Sequence, residues 1–200
     1  MLATGANPRK LGVAREEELL GQGIHYCASC DGMFYKDKVV AVIGGGYTAV
    51  MDALLLSRVA KKVILIHRRD TLRATKVYHE PLMETKNVEF CWNSVVEELL
   101  GENHLTGLVL RNVKTNEKQE IACGGAFVSV GRIPATEAFQ GQIALDDRGY
   151  IIAGENTETN VRGVYAVGDV RTKKLRQVVT AVADGAIAVS AAEEYLAEEK

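Results

Sequence analysis

Residues 38–66 constrain the fold more tightly than any other stretch. Lys38 to Ile43 is an apolar, β-branched run of strand type, and Gly44-Gly45-Gly46 is a tight turn. Thr48 to Val59 places Val50, Ala53, Leu54 and Ser57 at helical spacing, and Lys62 to Ile66 is a second buried strand. Strand, turn, helix and strand in this order form a βαβ unit, whose strands run parallel through a right-handed crossover. The class is therefore α/β.

The turn carries chemistry as well as geometry. Gly44-Gly45-Gly46-Tyr47-Thr48-Ala49 fits G-x-G-x-x-A. The first glycine permits the turn, the second lets backbone approach a pyrophosphate, and the small Ala49 lets helix and strand pack closely. A helix N-terminus offers free N–H groups and the positive end of its dipole to phosphates. A glycine-rich turn without ligand is the alternative, and the surrounding βαβ unit argues against it. The end of the second strand discriminates between nicotinamides. An NAD site places Asp or Glu there to hold the ribose 2′-hydroxyl. This chain has His67-Arg68-Arg69-Asp70, with Arg73 close behind. Guanidiniums suit a 2′-phosphate, so NADPH is favoured over NADH. Asp70 stays open as a rival ribose ligand. Gly21-Gln22-Gly23 also contains G-x-G, but it follows an acidic stretch rather than a strand and reads as a loop.

Cys27-Ala28-Ser29-Cys30 sets two sulfurs within disulfide reach. Such a pair can lower one thiol's pKa and create a reactive thiolate. Asp31 follows directly and can carry a proton to or from a leaving thiolate. Half of a zinc site is one alternative, although Cys91 and Cys123 are isolated and supply no second pair, and a lone histidine such as the nearby His25 is more often a surface or hydrogen-bonded one. Two inert buried thiols are another. Next to a nicotinamide site, redox chemistry is the favoured reading. Thiols take hydride from nicotinamide inefficiently, so an intermediary such as flavin is expected.

The remaining elements are shorter. Ala14 to Leu20 reads as one or two helical turns, and a further helix is predicted between Lys76 and Lys86. Strands are predicted at Val88–Trp92, Val95–Leu100, Leu105–Val113, Gln119–Ala122 and Ala126–Val130, and the polar turns at Gly101-Glu102-Asn103 and Thr115-Asn116 suggest antiparallel hairpins. Gly131-Arg132-Ile133-Pro134 reads as a boundary. Beyond it, Tyr150–Ala153 and Val164–Val167 are strand-like, and Gln177 to Leu196 is a long helix. The 200 residues, 47% hydrophobic and 25% charged, suffice for one domain or two small ones with a sizeable core. A net charge of -2 makes nucleic acid a poor partner. No apolar run approaches the roughly 20 residues of a membrane helix. Met1 to Gly5 lacks the basic flank and apolar stretch of a signal peptide. Four unevenly spaced cysteines fit a reducing cytoplasm.

Cys27-Ala28-Ser29-Cys30-Asp31-Gly32, the Gly44–Ala49 turn and His67-Arg68-Arg69-Asp70 resemble, in order and spacing, the low-molecular-weight thioredoxin reductases. Gly163-Val164-Tyr165-Ala166-Val167-Gly168-Asp169 resembles the second flavin motif of that family. Arg176-Gln177-Val178 resembles the segment that follows it against the flavin, and Thr4-Gly5 the end of the first flavin-domain segment. The resemblance covers essentially the whole chain. It implies a Rossmann-like, three-layer NADPH-binding domain carrying the redox cysteines, residues 13–131, inserted in a split FAD-binding domain, residues 1–12 and 132–200.

The resemblance further implies that electrons pass from NADPH to FAD, to the dithiol, and to thioredoxin or a thioredoxin-like protein, with the domains rotating between steps. Cys27 and Cys30 become the redox pair and Asp31 the acid/base. Gly44, Gly45, Gly46, Tyr47, Thr48 and Ala49, with His67, Arg68, Arg69 and Arg73, become NADPH contacts. Gly168, Asp169, Arg176, Gln177 and Val178 become FAD contacts, and a metal is not expected. Full-length members are implied to be homodimers. The pattern departs in one place: the opening strand and G-x-G-x-x-G that bind the ADP half of FAD, roughly a hundred residues in a typical α/β unit, have no counterpart here. A truncated form, a partner chain supplying the rest, and a stand-alone NADP(H)-binding module without catalysis are the alternatives. Truncation is the plainest, because Gly168-Asp169 has no evident purpose without flavin.

Overall fold

The computed structural model describes residues 1–198; residues 199 and 200, the end of the expected 132–200 segment, lie outside the described residues. In chain order the elements are β1 (Ala6–Pro8), β2 (Ile24–His25), α1 (Ala28–Asp31), β3 (Val39–Ile43), α2 (Tyr47–Leu56), β4 (Lys62–His67), α3 (His79–Met83) and β5 (Val88–Trp92). There follow β6 (Ser94–Leu100), β7 (Gly107–Asn112), β8 (Lys118–Ala122), β9 (Gly125–Val128), β10 (Arg132–Pro134) and α4 (Val178–Glu198). Two compact units result, Arg9–Gly131 and Met1–Pro8 with Arg132–Lys200.

The first unit is built on a five-stranded parallel sheet in the order β2-β9-β3-β4-β5. Both faces are covered, which is why its central strands β9, β3 and β4 are apolar along nearly their whole length instead of alternating. Side chains that alternate along β3 enter two separate cores. Val40 and Val42 pack with Ala49, Val50, Ala53 and Leu56 of α2, all fully buried. Ala41 and Ile43 pack with Leu108, Leu110 and Ile121 of the antiparallel sheet β6-β7-β8. Helix, parallel sheet and antiparallel sheet make the three layers of a Rossmann-like arrangement.

Several expectations need correction here. Ala14–Leu20 forms hydrogen-bonded turns instead of a helix, because Arg15 takes a positive φ of 66° and Glu16 turns its carboxylate back to the Leu11 and Gly12 amides. The antiparallel hairpins expected at the 101–103 and 115–116 turns are present as β6-β7 and β7-β8, whereas β5 and β9 join the parallel sheet. The helix expected from Lys76 shortens to a 3-10 turn at Lys76–Tyr78 followed by α3.

The second unit is less regular. β1 pairs antiparallel with β10, and 150–153 and 164–167 make isolated bridges, not strands. Ile151, Ala153, Ala166 and Val170 form one small core, and Tyr165, Val167 and Ala188 another. Along the 21 residues of α4, only Asp184 and Ala188 are buried.

Candidate functional site

The dithiol lies in the first unit. β2 ends at His25, and Cys27 caps α1, where it is joined to Cys30 by a disulfide. The Asp31 amide donates to the Cys27 carbonyl (3.1 Å), and the Ser29 hydroxyl lies 3.3 Å from Cys27 Sγ. α1 is held by burial of Ala28 in the α2 core. Asp31 Oδ2 lies 3.1 Å from Nδ1 of the buried His25, whose Nε2 lies 2.7 Å from the Tyr35 hydroxyl. Met33 and Phe34, directly after this segment, are exposed at 68% and 74%. The other two cysteines stand apart: burial pushes the Cys123 thiol up to about 12 and also raises that of Cys91. Among the described residues, no group of three His, Cys, Asp or Glu is placed to hold a metal.

The glycine turn lies between β3 and α2 of the same unit. Gly44 has a φ of 143°, and a side chain there would strike the Ser129 carbonyl and Ala49. Ala49 is fully buried, so close approach of strand and helix depends on both residues. Gly45 is the variable position between the two motif glycines, and it lacks a side chain for a reason the motif does not give: a Cβ there would overlap the His67 ring. Gly45 thus lets His67 tuck under the turn. The Arg73 amide donates to the Gly45 carbonyl (2.7 Å), and the Gly44 amide to that of Ile66 (3.0 Å), tying the end of β4 to the turn. Tyr47 and Thr48 are exposed at the start of α2, and no side chain caps that helix. Tyr47 stacks edge to face on Tyr78, 5.4 Å between centroids.

His67 itself is buried, and its Nε2 has no hydrogen-bond partner among the described residues. Burial, then the charges of Arg73, Arg69 and Arg68, lowers its pKa, so all three guanidiniums act on one ring. Among the described residues none of the three has a carboxylate partner. Asp70 is engaged elsewhere, in a 2.9 Å ion pair with Lys114. An uncapped helix start, an orphaned buried nitrogen and three unneutralised cations fit a phosphate-rich dinucleotide with an added 2′-phosphate.

In the second unit, Gly168 opens a 3-10 turn, Gly168–Val170, at a φ of 74°. Its amide already donates to Asp184 Oδ2 (2.8 Å). Asp184 is buried and also receives Arg171 at 2.7 and 2.8 Å and Lys173 at 2.7 Å. Burial opposes its charge, but those hydrogen bonds and the Arg171 charge hold its carboxyl well below the usual carboxylate range. The Asp169 carboxylate is half-buried and has no partner among the described residues. Arg176 lies over the Tyr150 ring at 4.0 Å and donates to the Asp169 and Arg171 carbonyls. Gln177 anchors the start of α4 through its amide to the Thr180 hydroxyl (3.1 Å), and Val178 is 80% exposed. A free carboxylate beside a turn fixed from behind by Asp184, next to exposed valine, fits a large ligand with polar and apolar parts such as FAD. Sequence reasoning reads His25, two residues before the cysteine pair, as a surface or hydrogen-bonded histidine outside the site, and it misses Tyr35 and Asp184.

A family model for pyridine nucleotide-disulphide oxidoreductases matches residues 1–185. The chain belongs to this pyridine nucleotide-disulphide oxidoreductase family. It is 48% identical over 202 residues to a thioredoxin reductase of Peptoclostridium acidaminophilum, covering 98% of this chain and 64% of that protein. Identity to a thioredoxin reductase of Streptomyces clavuligerus is also 48%, covering 98% of this chain and 62% of that protein. The crystal structure of thioredoxin reductase from Streptococcus pyogenes superposes with a TM-score of 0.90 at 43% identity, covering 98% of this chain and 64% of that one. The chain thus spans a little under two thirds of the length of these relatives.

Proposed function

We propose that this chain carries the dithiol and NADPH-binding part of a thioredoxin-reductase-type enzyme, with the overall reaction NADPH + H⁺ + thioredoxin disulfide → NADP⁺ + thioredoxin dithiol. The observation that carries the reading is a Cys27–Cys30 disulfide in the same unit as a glycine turn flanked by three guanidiniums that have no carboxylate partner among the described residues. Gly44 to Ala49, His67, Arg68, Arg69 and Arg73 would hold NADPH; Gly168, Asp169, Arg176, Gln177 and Val178 would hold FAD. When bound, NADPH supplies hydride and FAD converts it to an electron pair that thiols can accept. The chain's own residues do the rest. Reduced Cys27 or Cys30 attacks the acceptor disulfide, the second cysteine resolves the mixed disulfide, and Asp31 carries the proton. The exposed Met33 and Phe34 beside the dithiol support a protein acceptor over a small disulfide. The names of the relatives support thioredoxin as that acceptor. A homodimer and a cytoplasmic setting belong to the same reading and rest on the family resemblance; among the described residues, no helix is long and apolar enough to cross a membrane.

The test is a titration of the purified chain with NADPH and FAD, followed by thioredoxin disulfide. Saturable NADPH binding, flavin uptake and reduction of the acceptor are expected. Nucleotide binding with neither flavin uptake nor turnover would replace this reading with a stand-alone NADP(H)-binding module.

A further inference from the structure

The dithiol segment rests on a buried imidazole that the chemistry above does not use. His25 lies nearly parallel to Phe127, with centroids 5.3 Å apart and planes 25° apart, and edge-on to Tyr35 at 5.2 Å. Tyr35 is equally fixed: it meets Phe127 edge-on at 5.5 Å, and its ring fills the space a side chain at Gly125 would need. Burial, then the charges of Asp31 and Cys123, raises the Tyr35 pKa, so its hydroxyl keeps its proton. That O–H can donate to His25 Nε2, 2.7 Å away. The ring proton then sits on Nδ1, which donates to the Asp31 carboxylate at 3.1 Å. Asp31 ends a four-residue helix with its side chain about one-third exposed, and among the described residues His25 is the side chain that holds its carboxylate by a polar contact.

We propose that His25 is a positioning residue which, backed by Tyr35, fixes the Asp31 carboxyl for proton transfer to and from the Cys27/Cys30 pair. The proposal rests on the redox reading of that pair. In the reduced chain the Asp31 carboxylate takes the proton of one thiol, and the thiolate attacks a sulfur of the acceptor disulfide. The acceptor S–S bond breaks as a mixed disulfide forms, and the departing thiolate takes the proton from Asp31. The second cysteine then loses its proton to Asp31 and attacks the mixed disulfide. The Cys27–Cys30 bond closes, the acceptor's second sulfur leaves, and it receives that proton. The cysteine pair loses two electrons and the acceptor gains two. A carboxyl free to rotate would serve this transfer poorly, because proton transfer needs hydrogen-bond reach at the moment the thiolate leaves.

The experiment compares two disulfides on the reduced 200-residue chain, with Cys27→Ser/Cys30→Ser as the background for Cys91 and Cys123. 5,5′-Dithiobis(2-nitrobenzoate) releases an aryl thiolate that needs no proton; bis(2-hydroxyethyl) disulfide releases a basic alkyl thiolate that does. His25→Ala is expected to slow the alkyl disulfide about tenfold and the aryl disulfide about threefold, because both lose the base step at the attacking thiol and only the alkyl thiolate also needs a proton on leaving. Asp31→Asn should show the same selectivity, and the double variant should be no slower than Asp31→Asn alone. His25→Asn, which keeps an N–H donor, should recover most of the rate. Should His25→Ala fail to fold, Tyr35→Phe loses only the hydroxyl and should give a smaller loss, again larger for the alkyl than for the aryl disulfide. Equal slowing of both disulfides, or of neither, overturns the positioning role. A wild-type chain that exchanges with neither disulfide overturns the redox reading instead.

Discussion

Arg68→Ala together with Arg69→Ala separates the two nicotinamides, because the only chemical difference between them is the 2′-phosphate. Both guanidiniums are exposed, so each phosphate contact is screened. A charge-assisted hydrogen bond contributes about 1.5–3 kcal/mol in general, and about 1–1.5 kcal/mol is reasonable after screening. Losing two contacts removes about 2–3 kcal/mol, or about 30- to 150-fold in Kd for NADPH. NADH keeps its contacts to the turn and should change less than about threefold, since only a general weakening of positive potential remains. Trp92 is the chain's single tryptophan and sits edge-on to His67 at 6.4 Å, so its fluorescence can report binding without flavin. Titrations at two ionic strengths should also show a shallower salt dependence in the variant. A second readout comes from His67: with two of its three neighbouring cations gone, its pKa should rise toward the ordinary histidine value in an NMR titration. Equal loss of NADPH and NADH, or undiminished NADPH affinity, would refute the assignment of the 2′-phosphate to these arginines.

Cys27→Ser is expected to abolish disulfide exchange while NADPH affinity, measured by the same fluorescence, stays within about twofold. Gly45→Ala forces a methyl group into the His67 ring and should cost about 1–3 kcal/mol in urea denaturation, with weaker NADPH binding. Asp184→Asn leaves Arg171 and Lys173 buried without a counter-charge, and should destabilise its unit by about 3–5 kcal/mol, read as faster proteolysis of α4 and a lower unfolding midpoint. Because the Asp184 carboxyl is held low in the folded chain, the unfolded chain binds the proton more readily. The wild-type contribution should therefore be complete above the unfolded value of about 3.9 and fade only on further acidification, whereas the variant should lack this acid limb.

What was legible in the sequence and what was not divides along the range of the interactions. The turn at Gly44 to Ala49, the strands on either side and the helix between them announce themselves within a few residues, through apolar runs, glycines and 3.6-residue spacing. The cysteine pair is equally local. Ala14–Leu20 misled because a short acidic stretch is compatible with a turn as well as with a helix. Its decisive feature is Glu16, whose carboxylate serves the Leu11 and Gly12 amides and the Tyr26 hydroxyl, and no periodicity encodes that. β2 is two residues long and exists only because β9 lies alongside it. His25 gains its meaning from Asp31 and Tyr35, six and ten residues on, and from Phe127 across the sheet. Asp184 looks like a solvated helix residue until α4 lies over Gly168, Arg171 and Lys173. The residues proposed to react or to touch phosphate are thus marked by short motifs, because their chemistry demands fixed local spacing. The residues that orient them are buried, and burial is set by partners far away in sequence. A substitution at His25 or Asp184 should consequently disturb function or stability as much as one inside the motifs, although neither position belongs to any motif.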